Sequence, residues 1–322
     1  MKDDLVIIRT DGGICSQIMF AALGNYFSEK GYHVKYDTTW FEENGKDING
    51  ERVRNYDMDK AFPDLNLEIA TKEEIKRYKK KYCKNLSNAS LCQLEKYKPP
   101  IYIDRYPSIR EPLFLKFKDF FANKFKFLTD DAYQLNLLKE IELNNSCGVH
   151  IRRGDYMNTS AFTESADESY YNKAINIINK TNENVHFYFF SDDMDWVKEK
   201  LLPLLGNINY TICDKNSDDK GYLDLYLLSR CKHIISSNGS LGFTAFLLSK
   251  NNDVDLWMCK YREFLCKELN NIYIINCPDY RNNITNESRT FLGNLCSVYK
   301  DSTNHIIIKL LGIKIKFKLK RK

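Results

Sequence analysis

No apolar run in this chain approaches the length of a bilayer-spanning helix, so no membrane-spanning segment is expected. Met1-Lys2-Asp3-Asp4 leads directly into Leu5-Val6-Ile7-Ile8, an apolar stretch too short, and a start too acidic, for a secretory signal. A cytoplasmic protein is the expectation. The ten cysteines (Cys15, Cys83, Cys92, Cys147, Cys213, Cys231, Cys259, Cys266, Cys277 and Cys296) stand singly. No Cys-x-x-Cys occurs, and the five histidines make no zinc-like spacing with them. Reduced, buried thiols follow.

What is present is an ordinary globular composition, 43% hydrophobic and 28% charged, in 322 residues that leave room for two domains. The net charge of +5 is unevenly spread. Residues 309–322 hold seven of the 48 Lys/Arg and no acid, leaving 41 basic against 43 acidic side chains in residues 1–308, a net of −2. The body is near neutral and the positive charge is a tail. With no basic face in the body, a nucleic-acid partner is not expected.

Hydrophobic periodicity then orders the chain. A strand at Leu5 to Arg9, a glycine turn, a helix at Ile18 to Phe27 and a strand at Tyr32 to Tyr36 make a βαβ unit. A charged helix at Thr71 to Tyr82 reads as a solvated face, residues 83–100 as loop and part-helix. A short strand, Ile101 to Ile103, precedes a helix at Leu113 to Phe127 with core-like aromatic spacing. After a linker-like Asn144-Asn145-Ser146, strands and helices alternate. Strands are expected at 147–151, 185–190, 208–212, 233–236 and 254–257, helices at 169–179, 194–202, 221–230 and 241–248. Near-continuous apolar strands in β-α-β order predict a parallel sheet covered on both faces. Such sheets bind ligands beyond the carboxyl ends of their strands.

Three polar clusters sit at those ends, so they share one rim. In His150-Ile151-Arg152-Arg153-Gly154-Asp155, two adjacent guanidiniums repel and call for an anion or carboxylates. Arginine's planar fork suits phosphate oxygens, while an Arg–Asp pair pinning a loop is the other reading. Ser191-Asp192-Asp193 offers carboxylates. Ser236-Ser237-Asn238-Gly239-Ser240 closes a strand and opens a helix, either as an ordinary cap or as an anion pocket of side-chain oxygens and first-turn amides. In the first half, Thr10-Asp11-Gly12-Gly13-Ile14-Cys15-Ser16-Gln17 is a tight turn or a phosphate cradle. Asp57-Met58-Asp59, Asp193-Met194-Asp195 and Asp253-Val254-Asp255 each satisfy Asp-x-Asp, a metal-binding pattern too common in an acid-rich chain to carry weight.

His150-x-Arg152-Arg153-Gly154-Asp155-Tyr156 after a strand resembles the signature of the α-1,2-fucosyltransferases, glycosyltransferase family 11. Gly12, Gly13 and Gln17 match that family's Gly-Gly-Leu-Gly-Asn-Gln turn, with Cys15 and Ser16 replacing glycine and asparagine. Phe187-Tyr188-Phe189-Phe190-Ser191-Asp192-Asp193 and Asp224-Leu225-Tyr226-Leu227-Leu228-Ser229-Arg230-Cys231-Lys232-His233 resemble two more of its stretches, in the same order. Where the family commonly reads Asn-Ser-Ser-Phe-Ser-Trp-Trp-Gly-Ala-Trp, this chain has Asn238-Gly239-Ser240-Leu241-Gly242-Phe243-Thr244-Ala245-Phe246-Leu247, without the tryptophans.

The resemblance implies an α/β fold of the GT-B type, with two Rossmann-like domains, parallel sheets and an interdomain cleft. The expected divisions are 1–145 (acceptor side), 146–300 (donor nucleotide) and a basic apolar tail, 301–322. The implied activity is inverting transfer of L-fucose from GDP-β-L-fucose to the 2-hydroxyl of a galactose-like residue on a surface glycan of O-antigen or capsule type. Arg152, with His150, would serve the departing diphosphate. Donor contacts would come from Arg152, Arg153, Asp155, Ser191, Asp192, Asn238, Ser240, Gly12, Gly13 and Gln17. A carboxylate at 191–193 would accept from the guanine amino edge. No metal is expected, since arginines would neutralise the diphosphate. No single base for the acceptor hydroxyl is named, with Asp11 and Asp155 among those open. The missing tryptophans admit another GDP-sugar as donor, and a catalytically silent glycan- or nucleotide-binding partner is the reading of a different class. Residues 306–322 mix apolar and basic side chains, and their last part alternates strictly, a pattern suited to a strand. Near an anionic membrane each Lys/Arg gains about 1 kcal/mol, so peripheral attachment at the inner face, beside a lipid-linked acceptor, is expected.

Overall fold

The structure is a computed structural model. It describes residues 4–43, 45–46, 53–86, 93–105, 113–154, 166–216, 220–237, 239–251, 253–258 and 271–273, and the backbone alone at 91–92, 111–112, 274, 296–300, 305–310 and 313–318. Contacts divide the chain into two compact units, Met1–Ile275 and Asn276–Lys322.

The first unit contains two parallel sheets. One is built from β1 (Leu5–Arg9), β2 (His33–Asp37), β3 (Cys83–Asn85) and β4 (Ile101–Arg105), in the order β2-β1-β4-β3. The other is built from β5 (Asn145–Ile151), β6 (Val185–Ser191), β7 (Asn209–Ile212), β8 (His233–Ser236), β9 (Asp255–Met258) and β10 (Ile272–Ile274). Its order, β10-β9-β8-β5-β6-β7, is that of a doubly wound dinucleotide-binding sheet, whose connections reverse between β5 and β8. This is the two-sheet α/β architecture of the GT-B type. β5 is buried from Ser146 to Ile151, which explains why its sequence is apolar without alternation.

Ten helices lie in this unit among the described residues: α1 (Ile14–Ser28), α2 (Thr39–Glu43), α3 (Met58–Ala61), α4 (Lys72–Tyr82), α5 (Glu111–Lys124), α6 (Ala132–Leu143), α7 (Glu168–Thr181), α8 (Met194–Trp196), α9 (Gly221–Ser229) and α10 (Ser240–Leu248). α4 is the solvated helix expected. Thr71 Oγ1 accepts from Glu74 N at 3.2 Å and Glu74 Oε2 accepts from Thr71 N at 2.8 Å, a reciprocal cap. Lys79, Lys80 and Lys81 lie at its negative end. α1, α9 and α10 are apolar nearly all round because they are covered on all sides. α1 and α10 both pack on α5, so one hydrophobic core runs from Val6 and Ile8 through Phe20, Phe114 and Phe121 to Phe243, Leu247 and Leu256.

Several boundaries differ from the sequence expectation. Asn145 and Ser146 are not linker: they begin β5, and Ser146 is fully buried with its oxygens receiving the Lys232 amide. α1 starts at Ile14, against Gly13, because the turn needs only the left-handed Gly12 (φ +76°) to reverse the chain. Cys83–Asn85 is an edge strand where loop was expected, and α6 falls in a stretch given no element. The helix expected over 194–202 begins as α8, widens into a π-helical turn at Val197–Leu201 and tightens at Leu202–Leu204 around Pro203.

The second unit is an antiparallel meander of β11 (Cys296–Lys300), β12 (His305–Leu310) and β13 (Ile313–Lys318). It starts at Asn276 rather than at residue 301. The alternating tail is a strand, as its period predicts. No helix among the described residues is long and apolar enough to cross a membrane.

The tightest packing in the first sheet is at Gly24, where a methyl group would lie 1.8 Å from Tyr36 Oη. Gly24→Ala is therefore expected to destabilise the fold by about 1–3 kcal/mol, the usual range for overpacking a core. A urea titration followed by circular dichroism measures it, and an unchanged midpoint would contradict the close approach of α1 to β2.

Candidate functional site

The parallel register brings the predicted clusters together. His150 pairs with Ser236 on one side and Ile151 with Ser191 on the other, so the loops after β5, β6 and β8 leave one rim side by side. The loop after β5 flanks the point where the sheet's connections reverse, the place where such sheets open a crevice.

Both arginines are held by carboxylates of the β6 loop. Arg152 Nη1 lies 2.8 Å from Asp192 Oδ2, with side chains 17% and 9% exposed. Asp192 Oδ1 accepts from the backbone amides of Arg153 at 2.8 Å and Gly154 at 3.3 Å. Arg153 Nε donates to Asp193 Oδ2 at 3.2 Å, and its guanidinium lies 4.0 Å above the ring centre of Trp196. Asp193 in turn receives the Trp196 amide at 3.1 Å and donates its own amide to Ser191 Oγ at 3.0 Å. The two aspartates therefore brace the arginine loop. A guanidinium carries five N–H donors, so Arg152 can serve Asp192 and an anion together. Arg153, stacked and paired, orients the loop.

His150 is buried at the end of β5, with Nδ1 lacking a hydrogen-bond partner among the described residues. Burial pushes its imidazole down to about 4; the Asp192 charge opposes this and Arg152 adds to it. It is neutral at physiological pH. Its Cε1 edge faces Gly239, where a methyl group would lie 3.3 Å away, and 3.5 Å from Arg152 Cβ. Gly239 is the N-cap of α10 and supplies no side-chain cap. Ser240 opens that helix. Gly242 packs against Ser236, whose Oγ a methyl group there would meet at 2.5 Å. Asp155 and Asn238 lie outside the described residues.

The first sheet presents its own rim. Gly13 is the N-cap of α1, again without a side-chain cap. Cys15, one residue into α1, lies beside Thr244 and Ser240 of α10. The two glycine-capped helix starts thus meet. Gln17 is buried, its amide donating to Gly12 O at 3.1 Å and Asn55 O at 2.8 Å while accepting from Asp57 N at 2.9 Å. Its role here is to hold the 55–57 segment against the glycine turn. Asp11 lies 3.9 Å from Arg9, which also approaches Asp104 at 3.7 Å. Burial raises the Asp11 carboxyl above its ordinary value, against the opposing charge of Arg9.

Among the described residues no group of three His, Cys, Asp or Glu gathers as a metal would require. One carboxylate of each Asp-x-Asp has another partner: Asp193 is described above, Asp57 accepts from Lys60 at 3.0 Å and Asp255 from His233 at 3.0 Å. Asp224 is half-buried, with desolvation raising its carboxyl to about 7, and it receives Asn216 Nδ2 at 2.5 Å. Asn216 is tied to Gln134 of α6 at 2.8 Å, a network no sequence pattern announced. Arg54, placed beside Gly13, also escaped notice because it stands in a segment without periodicity.

The His150 geometry has a pH consequence. Its folded-state pKa is about 4 against an ordinary 6.5, so the unfolded chain takes up the proton first. Stability is expected to fall as pH drops from about 6.5 toward 4. His150→Asn should flatten that part of the curve in denaturant titrations; an unchanged slope would show that the buried imidazole is not its source.

A family model described as Glycosyl transferase family 11 matches residues 93–276. An O-antigen biosynthesis glycosyltransferase of Escherichia coli, WbnK, is 26% identical over 176 residues, covering 53% of this chain and 55% of that protein. The Escherichia coli alpha-1,2-colitosyltransferase is 25% identical over 294 residues, 85% of this chain and 97% of that one. The human galactoside alpha-(1,2)-fucosyltransferase 1 is 30% identical over 112 residues, 34% of this chain and 30% of that protein. The match to WbnK thus takes in about half of that relative, and the match to the human enzyme about a third. The family model spans more than half of the chain, including the braced arginine loop and α10: the protein belongs to glycosyl transferase family 11.

Proposed function

We propose that this chain transfers L-fucose from GDP-β-L-fucose to the 2-hydroxyl of a galactose-like residue on a surface glycan, in one inverting displacement and without a metal ion. The observation that carries this reading is Arg152, fixed by Asp192 at the sheet's reversal point and in contact with the glycine cap of α10. When the glycosidic bond breaks, negative charge grows on the leaving diphosphate. Positive donors held in place beforehand stabilise that charge without reorganising, the largest electrostatic contribution available to such a reaction. Arg152 supplies the full charge, and the amides opening α10 supply partial charge. Neutral His150 would contribute a hydrogen bond, and Arg153 keeps the loop in place. The acceptor hydroxyl needs a base or a loose transition state. Asp11, raised by burial on the opposite rim, is suited to accept a proton, though other carboxylates compete for that role.

Relatives named for α-1,2 transfer to a galactoside and for O-antigen biosynthesis support the linkage and the glycan class. A second donor has a specific observation behind it. One relative is named for colitosyl transfer, and Phe243, Thr244 and Leu247 fill buried positions where the family commonly has tryptophan. A different deoxy-sugar carried by GDP is the alternative.

Purified protein, assayed with several GDP-sugars and simple galactosides in EDTA, tests both. GDP release specific to GDP-fucose, with Arg152→Ala slower by about 10²–10³-fold, is the expected result. Turnover of another GDP-sugar would move the donor and leave the clamp. Activity that appears only with added manganese would overturn the metal-free mechanism, and binding without turnover would favour the silent partner.

We further propose that the terminal meander attaches the enzyme to anionic membrane beside a lipid-linked acceptor. Its register sets Ile313, Ile315 and Phe317 opposite Leu310, Ile308 and Ile306, and Lys314 opposite Lys309. Along β13 apolar and basic positions therefore alternate between the two faces, with Ile307 of β12 opposite Lys316 and Lys300 of β11 opposite Ile306. Co-sedimentation with phosphatidylglycerol vesicles, weakened by salt and absent with phosphatidylcholine, is the expected result. Equal binding to both lipids would remove the electrostatic part.

A further inference from the structure

The chain's positive charge has a second concentration besides its tail. Residues 75–94 hold six basic side chains and no acid, leaving 35 basic against 43 acidic in the rest of residues 1–308, a net of −8. The six are Lys76, Arg77, Lys79, Lys80, Lys81 and Lys84. All are exposed, five of them on α4 and Lys84 on the edge strand β3.

The apolar residues of α4 set its orientation. Ile75 and Tyr78 are buried and pack with Leu5, Ile7, Ala70 and Tyr102 on one face of the first sheet, with Tyr82 partly buried beside them. Positions 75, 78 and 82 are spaced i, i+3 and i+7, so the cations are carried outward on the rest of the helix. β3 follows directly as the edge of the same sheet. The charges of Lys79 and Lys84 both reach Cys83, which lies between them in sequence, so helix and strand present one continuous basic face.

Local needs do not account for this charge. A helix end attracts a cation or two to its dipole, but Lys76 with Lys80 and Arg77 with Lys81 are like charges at i, i+4, which repel. Arg77 lies 5.1 Å from the ring centre of Tyr78. Among the described residues none of the five lysines pairs with a carboxylate. The acids near them are engaged elsewhere. Glu74 receives Lys35 Nζ and the Thr71 amide, each at 2.8 Å, and Asp104 lies 3.7 Å from Arg9 and 4.0 Å from Arg105. Glu73 stands in the first turn of α4, at the opposite end from Lys79, Lys80 and Lys81.

We infer that this face docks on an anionic phospholipid surface. Clustered Lys/Arg on an amphipathic helix suit such a surface, and a body of opposite sign elsewhere turns the basic face toward it. A nucleic acid fits less well. Tyr78 and Tyr102, beneath the cluster, are fully buried and offer a base nothing to stack on. Five of the six cations are lysines, point charges suited to a diffuse headgroup layer rather than to bidentate phosphate recognition. Because the apolar side of α4 is buried against the sheet, the contact is superficial and electrostatic, unlike that of a helix which inserts. The inference depends neither on the transferase reading nor on the terminal meander, since this face belongs to the unit Met1–Ile275.

The test is co-sedimentation of the full chain with phosphatidylcholine vesicles, with and without phosphatidylglycerol, at several salt concentrations. Each lysine near an anionic bilayer strengthens binding about fivefold, so Lys79→Gln/Lys80→Gln/Lys81→Gln is expected to weaken binding to the mixed vesicles by about 10²-fold. Arginine at the same three positions should preserve binding, and high salt should erase the difference between wild type and the glutamine variant. Melting curves check the fold. If the triple variant melts early, Lys76→Gln/Lys84→Gln, outside the last turn of α4, replaces it, with an expected loss of about 30-fold. Lys314→Gln/Lys316→Gln/Lys318→Gln measures the meander's share separately. Full binding in both α4 variants, beside a loss in the meander variant, would overturn the inference. So would the absence of wild-type binding to the mixed vesicles at low salt. Retention on single-stranded DNA at the same salt, stronger than on vesicles and lost in the α4 variant, would overturn it in favour of a nucleic-acid surface.

Discussion

The site depends on the carboxylate of Asp192. Two arginines adjacent in sequence cannot share a buried strand end on their own, because their mutual repulsion grows as water is excluded. Asp192 sits on the neighbouring strand's loop and takes the Arg152 guanidinium with one oxygen and two loop amides with the other. One residue thereby neutralises a charge and sets the backbone path of Arg153 and Gly154. Asp193 does the same for Arg153, whose flat face lies against Trp196. Breaking a buried pair by removing one member leaves an uncompensated charge, a loss of about 3–5 kcal/mol. The brace is for this reason part of the fold as much as of the site.

That brace would be of little use on a loosely attached half. The two sheets do not each close over a private core: α1, α5 and α10 interlock, and the apolar cluster passes from one sheet to the other. Close approach is secured by glycine wherever a side chain would intrude. Gly24 admits Tyr36, Gly148 lies against Leu228 and Cys231, and Gly242 lies against Ser236. Between the rims, glycine caps do a second job. A helix capped by serine or aspartate has satisfied its own first amides, whereas Gly13 and Gly239 offer no side-chain oxygen and keep theirs for another acceptor.

Much of this was legible in the residues, and the reasons are physical. Continuous apolar runs located β5, β6 and β8 to within a few residues, because each is covered on both faces and so is apolar nearly throughout. Polar residues at strand ends revealed the rim, since parallel pairing leaves those ends level with one another. What did not show was pairing. Nothing in the string says that Asp192 serves Arg152 rather than a base edge, because that depends on a register between strands far apart in sequence. Gln17 was read as a donor contact, whereas its amide is occupied by the 55–57 segment. Arg54, beside the glycine turn, was invisible for the complementary reason: it stands in a stretch whose conformation is imposed by a distant glutamine rather than by its own periodicity.

The charge balance of the braced loop bears on how a donor is chosen. With Arg152 and Arg153 each paired to a carboxylate and His150 neutral, the two arginines are already compensated, so this loop by itself gives no strong long-range pull on anions. Discrimination must then come at contact range, from geometry: a planar guanidinium whose direction is fixed by Asp192, and helix amides aimed by glycine caps. A compensated clamp of this kind avoids the repulsion of an empty, bare cationic pocket, and it favours an anion able to engage several donors at once over a single phosphate. A diphosphate, with oxygens for several donors, meets that condition.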